Sequence, residues 1–222
     1  MISLDPLGQP ALLARGDYRP SCRRCRRPLS GCYCSLIRSF DSDPRFIILS
    51  QPREAKHRLG TGRMAHLCLS NSVLIEGVDF TLDSCVNREI DDPLNFPVLL
   101  YPSSDSIDLS KLNGGERSAL IPSRQRLVVF VLDGTWKSAR KMIRSSQNLM
   151  RLPAISFAPV TPSAYRIRRQ PRPQCYSTIE AIHQVIELFA PHGAGRGAAA
   201  RPHDNLLAVF AALVDRQLTY TP

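Results

Sequence analysis

No stretch of this 222-residue chain is apolar for long enough to span a bilayer: its longest such run, LVVFVLDG at 127–134, is far short of the ~20 residues a membrane helix needs. The opening MISLDPLGQPALLARG lacks the basic start and apolar follow-on of an export signal, so a cytoplasmic protein is expected. A long basic amphipathic helix is missing too, which argues against attachment to a membrane surface. Acidic residues are absent from 134–179, where nine Arg or Lys stand unopposed. No internal repeat is evident, so repeat architectures are set aside.

What remains is an ordinary globular composition, 43% hydrophobic and 22% charged. The length fits one main domain with a small N-terminal appendage, read as a knuckle over 18–40 and an α/β domain over 41–222. Charge is unevenly spread. Residues 15–63 hold twelve basic against four acidic side chains, whereas 73–133 hold ten acids against five bases. Two basic zones flanking an acidic middle suit a polyanion lying across separate surfaces, because phosphates pair with Lys and Arg and release counterions. The plainer alternative is solvated arginine that serves solubility.

CRRCRRPLSGCYC, at 22–34, carries four of the seven cysteines in a C-x2-C-x6-C-x-C pattern. With no export signal, reduced thiols are expected. Two close pairs joined by a short loop let Cys22, Cys25, Cys32 and Cys34 converge on one tetrahedral ion, zinc or iron, with zinc the leading assignment. So small a loop has no apolar core of its own, so the metal would supply its folding energy. A disulfide-stapled loop or a fortuitous cluster is the competing reading. The intervening Arg23, Arg24, Arg26 and Arg27 would then be displayed to a phosphate backbone. Cys68, Cys85 and Cys175 are isolated and read as packing residues.

Downstream, RFIILS (45–50), SVLIEG (72–77), FPVLLYP (96–102), LVVFVLDG (127–134) and AISFAP (154–159) read as strands, several without polar alternation and hence buried on both faces. Helical patterns lie over RMAHLCLS, TWKSARKMIRSSQNLM, STIEAIHQVIELFA and DNLLAVFAALVDRQL. Alternating strands and helices predict an α/β fold, a mainly parallel sheet flanked by helices. PHGAGRGAAARP (191–202) reads as a mobile connector.

Ligands of open parallel sheets bind beyond the carboxyl ends of strands. There the buried run 127–132 leads into Asp133, Gly134, Thr135 and Trp136, ahead of a basic helix carrying Lys137, Arg140, Lys141 and Arg144. Capping by Asp133 or Thr135, and a core role for Trp136, would explain part of this. Other candidates are the YPSS turn at 101–104, the glycine-containing loop QPREAKHRLGTGR at 51–63, and STIE at 177–180, which fits a capping box with Ser177 as cap and Glu180 reaching back. Arg166, Arg168, Arg169 and Arg172, spaced by prolines, read as contacts to a nucleic-acid backbone.

Taken together, these motifs resemble the DTW-domain family. The D-x-T-W signature stands here as Asp133, Gly134, Thr135 and Trp136. It is joined by the cysteine knuckle, the P-x-E element within 51–63, LYPS at 100–103, and an R-x-x-P…ST-x-EA element at 168–181. The resemblance covers roughly 20–190. It implies a tRNA-uridine aminocarboxypropyltransferase that moves the 3-amino-3-carboxypropyl group of S-adenosylmethionine to N3 of a tRNA uridine, leaving 5′-methylthioadenosine. It also implies kinship with the SPOUT class and its knotted cofactor pocket.

On that resemblance the donor site comprises Leu100, Tyr101, Pro102, Ser103, Leu132, Asp133, Gly134, Trp136, Ser177 and Thr178. Asp133, Thr135 and Trp136 are the catalytic candidates. Asp133 is either the base that takes the N3 proton or a partner of the donor's ammonium or ribose, and Trp136 stacks on adenine, stacks on the target base, or is structural. RNA contacts fall to Arg23, Arg24, Arg26, Arg27, Arg53, Arg63, Lys137, Arg140, Arg168 and Arg169. The target uridine would be extruded from a loop. A monomer is expected, with tRNA as partner. The competing functions are a SPOUT-like RNA methyltransferase, a related transferase acting on ribosomal RNA, and a noncatalytic zinc-dependent RNA-binding module.

Overall fold

The computed structural model describes residues 20–57, 59–167, 175–190 and 201–219. Six strands, β1 (Arg45–Ser50), β2 (Val73–Glu76), β3 (Asn95–Leu100), β4 (Ile107–Asp108), β5 (Arg126–Asp133) and β6 (Ala154–Ser156), form one sheet in the order β2-β1-β5-β3-β6-β4. Every pairing is parallel. The expected α/β architecture is therefore present, and all five expected strands are found. β4 was not anticipated, since two residues leave no period to read.

β1 and β5 at the centre are buried on both faces. Phe46 and Ile48 point to one side and Ile47 and Leu49 to the other, all 0% exposed; in β5, Val129 opposes Val128 and Phe130 in the same way. Parallel strands covered by helices on both faces have no solvated side to encode, which explains the absence of polar alternation. Each such side chain contributes about 1.5–3 kcal/mol of burial.

On one face lie α2 (Thr61–Cys68), α4 (Gly114–Ala119), α6 (Thr178–Phe189) and α7 (Asp204–Leu218); on the other lie α3 (Ser84–Asp91) and α5 (Trp136–Ser145). A single turn, α1 (Pro52–Ala55), follows β1. The helices α1, α3 and α4 escaped the sequence reading because they are short and held by caps. Asp83 accepts from the Cys85 and Val86 N–H groups to start α3, and Asn113 with Glu116 forms a capping box on α4.

The cysteine loop is attached to this body. Cys25 and Tyr33 are 4% exposed and join the same apolar cluster as α2, α6 and α7. Asn205 of α7 accepts from the Arg38 N–H at 2.7 Å and donates to the Leu36 carbonyl at 3.0 Å, and Arg216 donates to the Cys32 carbonyl. The Gly/Ala-rich segment lies outside the described residues over 191–200. Among the described residues no helix is long and apolar enough to cross a membrane.

Candidate active site at the carboxyl edge of the sheet

β5 ends on Asp133, 3% exposed, and three separate elements donate to its carboxylate. Ser50, its register partner at the end of β1, donates from Oγ to Oδ2 at 2.7 Å. The Gly62 N–H, in the first turn of α2, reaches Oδ1 at 3.2 Å, and Thr178 Oγ1, in the first turn of α6, reaches the same atom at 2.7 Å. Two helix N-termini therefore converge on one acid, an arrangement that stabilises negative charge. Burial nonetheless pushes this carboxyl above its ordinary value and nearby Glu54 adds to the shift, while the bonds from Thr178, Ser50 and Gly62 pull it back. Gly62 is required for close approach: a Cβ there would lie 2.4 Å from Asp133 Cγ.

The loops after β1 and β5 are locked together. The Gln51 N–H donates to the Asp133 carbonyl at 2.9 Å, and a Cβ on Gly134 would meet Gln51 Cβ at 3.4 Å. Gln51 also caps α1 by accepting from the Arg53 and Glu54 N–H groups. Thr135 caps α5 as expected, accepting from the Ser138 N–H at 3.2 Å, with its hydroxyl also 2.9 Å from Ser138 Oγ. Thr135 is thus engaged as a helix cap, and the residue also lines the cleft.

A cleft of about 590 Å³ opens beyond the strand ends. It is within the range of small-molecule sites, about 300–1,000 Å³. The structure gathers Leu100, Tyr101, Pro102, Leu132, Asp133, Gly134, Trp136, Ser177 and Thr178 around it, with Thr135 and Lys137 at its edge. Ser103 alone of the expected donor residues is elsewhere, exposed in a turn whose backbone N–H and carbonyl both bond the Ser106 hydroxyl. Trp136 is no core anchor: it is 44% exposed and tilts against Tyr101, ring centroids 6.2 Å apart. Phe157 and Tyr176, also in the lining, make a second tilted pair at 5.9 Å. Two aromatic pairs and a buried acid in one lining suit a flat ring carried with a cation.

The capping box at α6 is present and broader than its spacing implied. Glu180 accepts from the Ser177 N–H and hydroxyl, and also from the Ser163 hydroxyl and Ala164 N–H, tying the loop before α6 to its first turn. Thr61 and Glu54, from the candidate loop at 51–63, also line the cleft, as do Phe157, Tyr165 and Tyr176, which were not anticipated. Tyr176 directly precedes STIE, so its proximity was available; the others depend on strand order.

A second, smaller cavity of about 200 Å³ also has Asp133 in its lining, with Arg26, Arg27, Lys56, His57 and Arg63 among others. Arg27 departs from the expectation of display. It is 8% exposed, and burial lowers its guanidinium's pKa. Arg23, Arg24, Arg26 and Arg53 are exposed, as are Lys137 and Arg140 along α5. Arg26 and Arg63 both bond Glu76, at 3.0 and 3.1 Å. Arg168, Arg169 and Arg172 lie outside the described residues, and Arg166 pairs with Asp215 at 3.5 Å.

The four knuckle thiols form a cluster with all sulfurs within 4.8 Å of one another. Cys22 to Cys34 and Cys25 to Cys32 are each 3.7 Å, matching the ~3.8 Å edge of a tetrahedron built on ~2.3 Å zinc–sulfur bonds. Those separations are far beyond a disulfide bond of ~2.05 Å, which removes the stapled-loop reading. Backbone N–H groups of Cys25 and Arg24 draw the Cys22 thiol down to about 6, whereas burial raises Cys25 and Cys34. Four converging soft donors fit a structural zinc.

Of the isolated cysteines, Cys68 is fully buried, and burial raises its thiol to about 11. The packing expectation fails for the other two: Cys85 is exposed on α3 and Cys175 lines the cleft. A separate cluster of His183, Glu187, His203 and Asp204 also brings its ligand atoms within 4.8 Å. Both its carboxylates already pair with Arg201, so it reads as an ion-pair lock between α6 and α7.

A family model described as the DTW domain matches residues 19–218. The chain is 30% identical over 197 residues to tRNA-uridine aminocarboxypropyltransferase 2 of Drosophila melanogaster, covering 86% of this chain and 74% of the relative. It is 25% identical to tRNA-uridine aminocarboxypropyltransferase A of Arabidopsis thaliana, covering 79% of this chain and 74% of the relative. To tRNA-uridine aminocarboxypropyltransferase 2 of Mus musculus it is also 25% identical, over 84% of this chain and 62% of the relative. No solved structure matches.

Proposed function

Because this chain belongs to the DTW-domain family, we propose that it is a tRNA-uridine aminocarboxypropyltransferase, placing the 3-amino-3-carboxypropyl group of S-adenosylmethionine on N3 of a uridine. The observation that carries this reading is the cleft itself. Its lining brings together the buried Asp133, two aromatic pairs and the first residues of α6.

The residues divide the work of orienting a donor that needs no activation. Bound, the donor supplies a carbon attached to a positively charged sulfur, whose departure as a neutral thioether requires no protonation. Trp136 and Tyr101 offer ring faces for adenine or for the sulfonium. Ser177, the N-cap, and Thr178, the first residue of a twelve-residue helix, favour the carboxylate of the amino acid end. Asp133, fixed by three donors, provides the negative pole facing the donor's cationic groups. Fixing that end of the donor is what selects the propyl carbon over the methyl for attack. Cys22, Cys25, Cys32 and Cys34 would hold a structural zinc, keeping Arg23, Arg24 and Arg26 on the surface for the tRNA backbone.

The by-product separates this reading from methyl transfer. Purified protein incubated with S-adenosylmethionine and unmodified tRNA should release 5′-methylthioadenosine, whereas release of S-adenosylhomocysteine would establish a methyltransferase. Consumption of neither donor nor tRNA would leave an RNA-binding module.

A further inference from the structure

α5 is built against its own electrostatics. Lys137 stands in its first turn, at the positive end of the helix dipole, where acids are favoured. Lys137 with Lys141, and Arg140 with Arg144, are like-charge pairs four residues apart, each of which destabilises the helix. No acid relieves them: residues 134–179 contain neither Asp nor Glu, and among the described residues no carboxylate pairs with any of the four. Elsewhere arginines are answered, as Arg45 is by Glu89 and Arg26 and Arg63 are by Glu76. The four α5 cations are exposed, and their spacing, i, i+3, i+4 and i+7, gathers them on one face while Ala139 and Met142 turn the other into the core. That stripe begins at the cleft, whose lining includes Lys137 beside Trp136 and Asp133. It ends near acid, since Thr81 Oγ1 lies 3.3 Å from the carbonyl of Ser145, the last residue of α5, and 2.7 Å from Asp79. The pull on a polyanion is therefore strongest toward the cleft.

The knuckle lies on the other face of the sheet. Cys25 and Tyr33 pack with α2, α6 and α7, whereas Met142 of α5 packs with Ile47, Leu49 and Phe130. Both nevertheless reach one edge. Glu76, Ser50 and Asp133 are aligned across β2, β1 and β5, with Glu76 paired to Arg26 of the knuckle and Asp133 leading into α5. Two strand spacings, about 10 Å, separate the ends of that row. Arg23 and Arg24, exposed close to Arg26 in the chain, and the α5 stripe are thus two cationic surfaces on opposite faces of the edge that bears the cleft.

We propose that tRNA straddles this edge: the backbone next to the target uridine lies along the cationic face of α5, and a more distant part of the same molecule meets Arg23 and Arg24 of the knuckle. This rests on the wide cleft holding the donor, as proposed above. Phosphates laid along α5 relieve its like-charge repulsion and release counterions. The division between near and distant contacts follows from the cleft, whose lining includes Thr135, Trp136 and Lys137 and no described residue of the knuckle.

The test uses the full chain, unmodified tRNA, and the hairpin of that tRNA carrying the uridine that wild-type protein modifies, with binding measured over a salt series. Arg140→Glu combined with Lys141→Glu should weaken binding of both RNAs about tenfold or more and lower the salt slope by about two, with affinity for S-adenosylmethionine within about twofold of wild type. Arg140→Ala combined with Lys141→Ala, which keeps good helix formers in place, should act in the same direction to a smaller degree. Arg23→Glu combined with Arg24→Glu should weaken intact tRNA about tenfold and leave the hairpin within about twofold. Unchanged tRNA affinity in both α5 variants overturns the proposal, and loss of binding to phosphatidylserine vesicles in its place would assign the face to a membrane. Equal losses on tRNA and hairpin in the knuckle variant overturn the division between the two surfaces. If wild-type protein modifies no uridine, the transferase reading fails, and the salt series on intact tRNA alone decides whether α5 carries RNA.

Discussion

Ser50 and Asp133 end adjacent parallel strands as register partners, and the Ser50 hydroxyl donates to the Asp133 carboxylate at 2.7 Å. Through that bond, and those from Gly62 and Thr178, the signature acid joins β1, β5, α2 and α6 at one point. Geometry at the site and stability of the fold are therefore coupled, and the consequences can be measured.

Gly62 has no room for a methyl group, because the added carbon would sit 2.4 Å from Asp133 Cγ. Overpacking of this kind costs about 1–3 kcal/mol. Gly62→Ala should lower the melting temperature by about 2–10 °C and weaken donor binding together, since the same displacement moves the α2 terminus and the acid. Calorimetry of folding and of donor binding reads both.

Trp136 should behave in the opposite way. Being 44% exposed, it contributes little to the core. Trp136→Ala is expected to leave the melting temperature within about 2 °C and to weaken donor binding about tenfold, as loss of a stacking face worth about 1–3 kcal/mol implies. Trp136→Phe should recover most of the affinity.

The knuckle carries a stability prediction. Cys25 lies in the main apolar cluster, whereas Cys22 is only partly buried. Both Cys22→Ser and Cys25→Ser should release one zinc per chain and weaken tRNA binding more than donor binding. Cys25→Ser should unfold at the lower temperature of the two, since it also sets a hydroxyl in a buried apolar site at a cost of about 1–3 kcal/mol. Metal analysis and thermal melts of the two variants check this.

Acid should loosen the lock between α6 and α7. Arg201 chiefly, with His183, holds the Asp204 carboxyl at about 2 against an ordinary 3.8, and burial depresses His183 below its ordinary 6.5. In both cases the folded chain binds fewer protons than the unfolded one, so stability falls as pH drops: first just below 6.5 as His183 is penalised, then between 3.8 and 2 as Asp204 loses its pair. Around the pair stand Glu187, Arg201 and His203. Melting temperature should drop by a few degrees, about 2–4 °C, between pH 7 and 5, and His183→Gln should flatten that segment.

Much of this was legible in the chain. Strands buried on both faces declare themselves, so β1 and β5 were plain, and α7 spans the residues its pattern marked. The strand-end location of Asp133 followed from the run before it. What escaped depends on tertiary adjacency. α1, α3 and α4 are too short for periodicity and are held by side-chain caps. Glu54 looked like a loop residue because only the pairing of β1 with β5 brings it beside Asp133. Arg27 looked exposed because charge normally is, yet the knuckle folds it inward.

The central claim is that an acid-lined cleft delivers a propyl carbon, and not a methyl, to a uridine of tRNA. Asp133→Asn tests it with the fold kept: the amide oxygen can still accept from Gly62 and Thr178 while its nitrogen donates to the Ser50 hydroxyl, so only the charge is lost. Nucleosides from tRNA treated with wild-type protein and S-adenosylmethionine, weighed by mass spectrometry, should include uridine bearing the 3-amino-3-carboxypropyl group. Tm-matched Asp133→Asn should yield at least a hundredfold less. Methylated uridine in place of that product, or equal yields from the two proteins, would contradict the account.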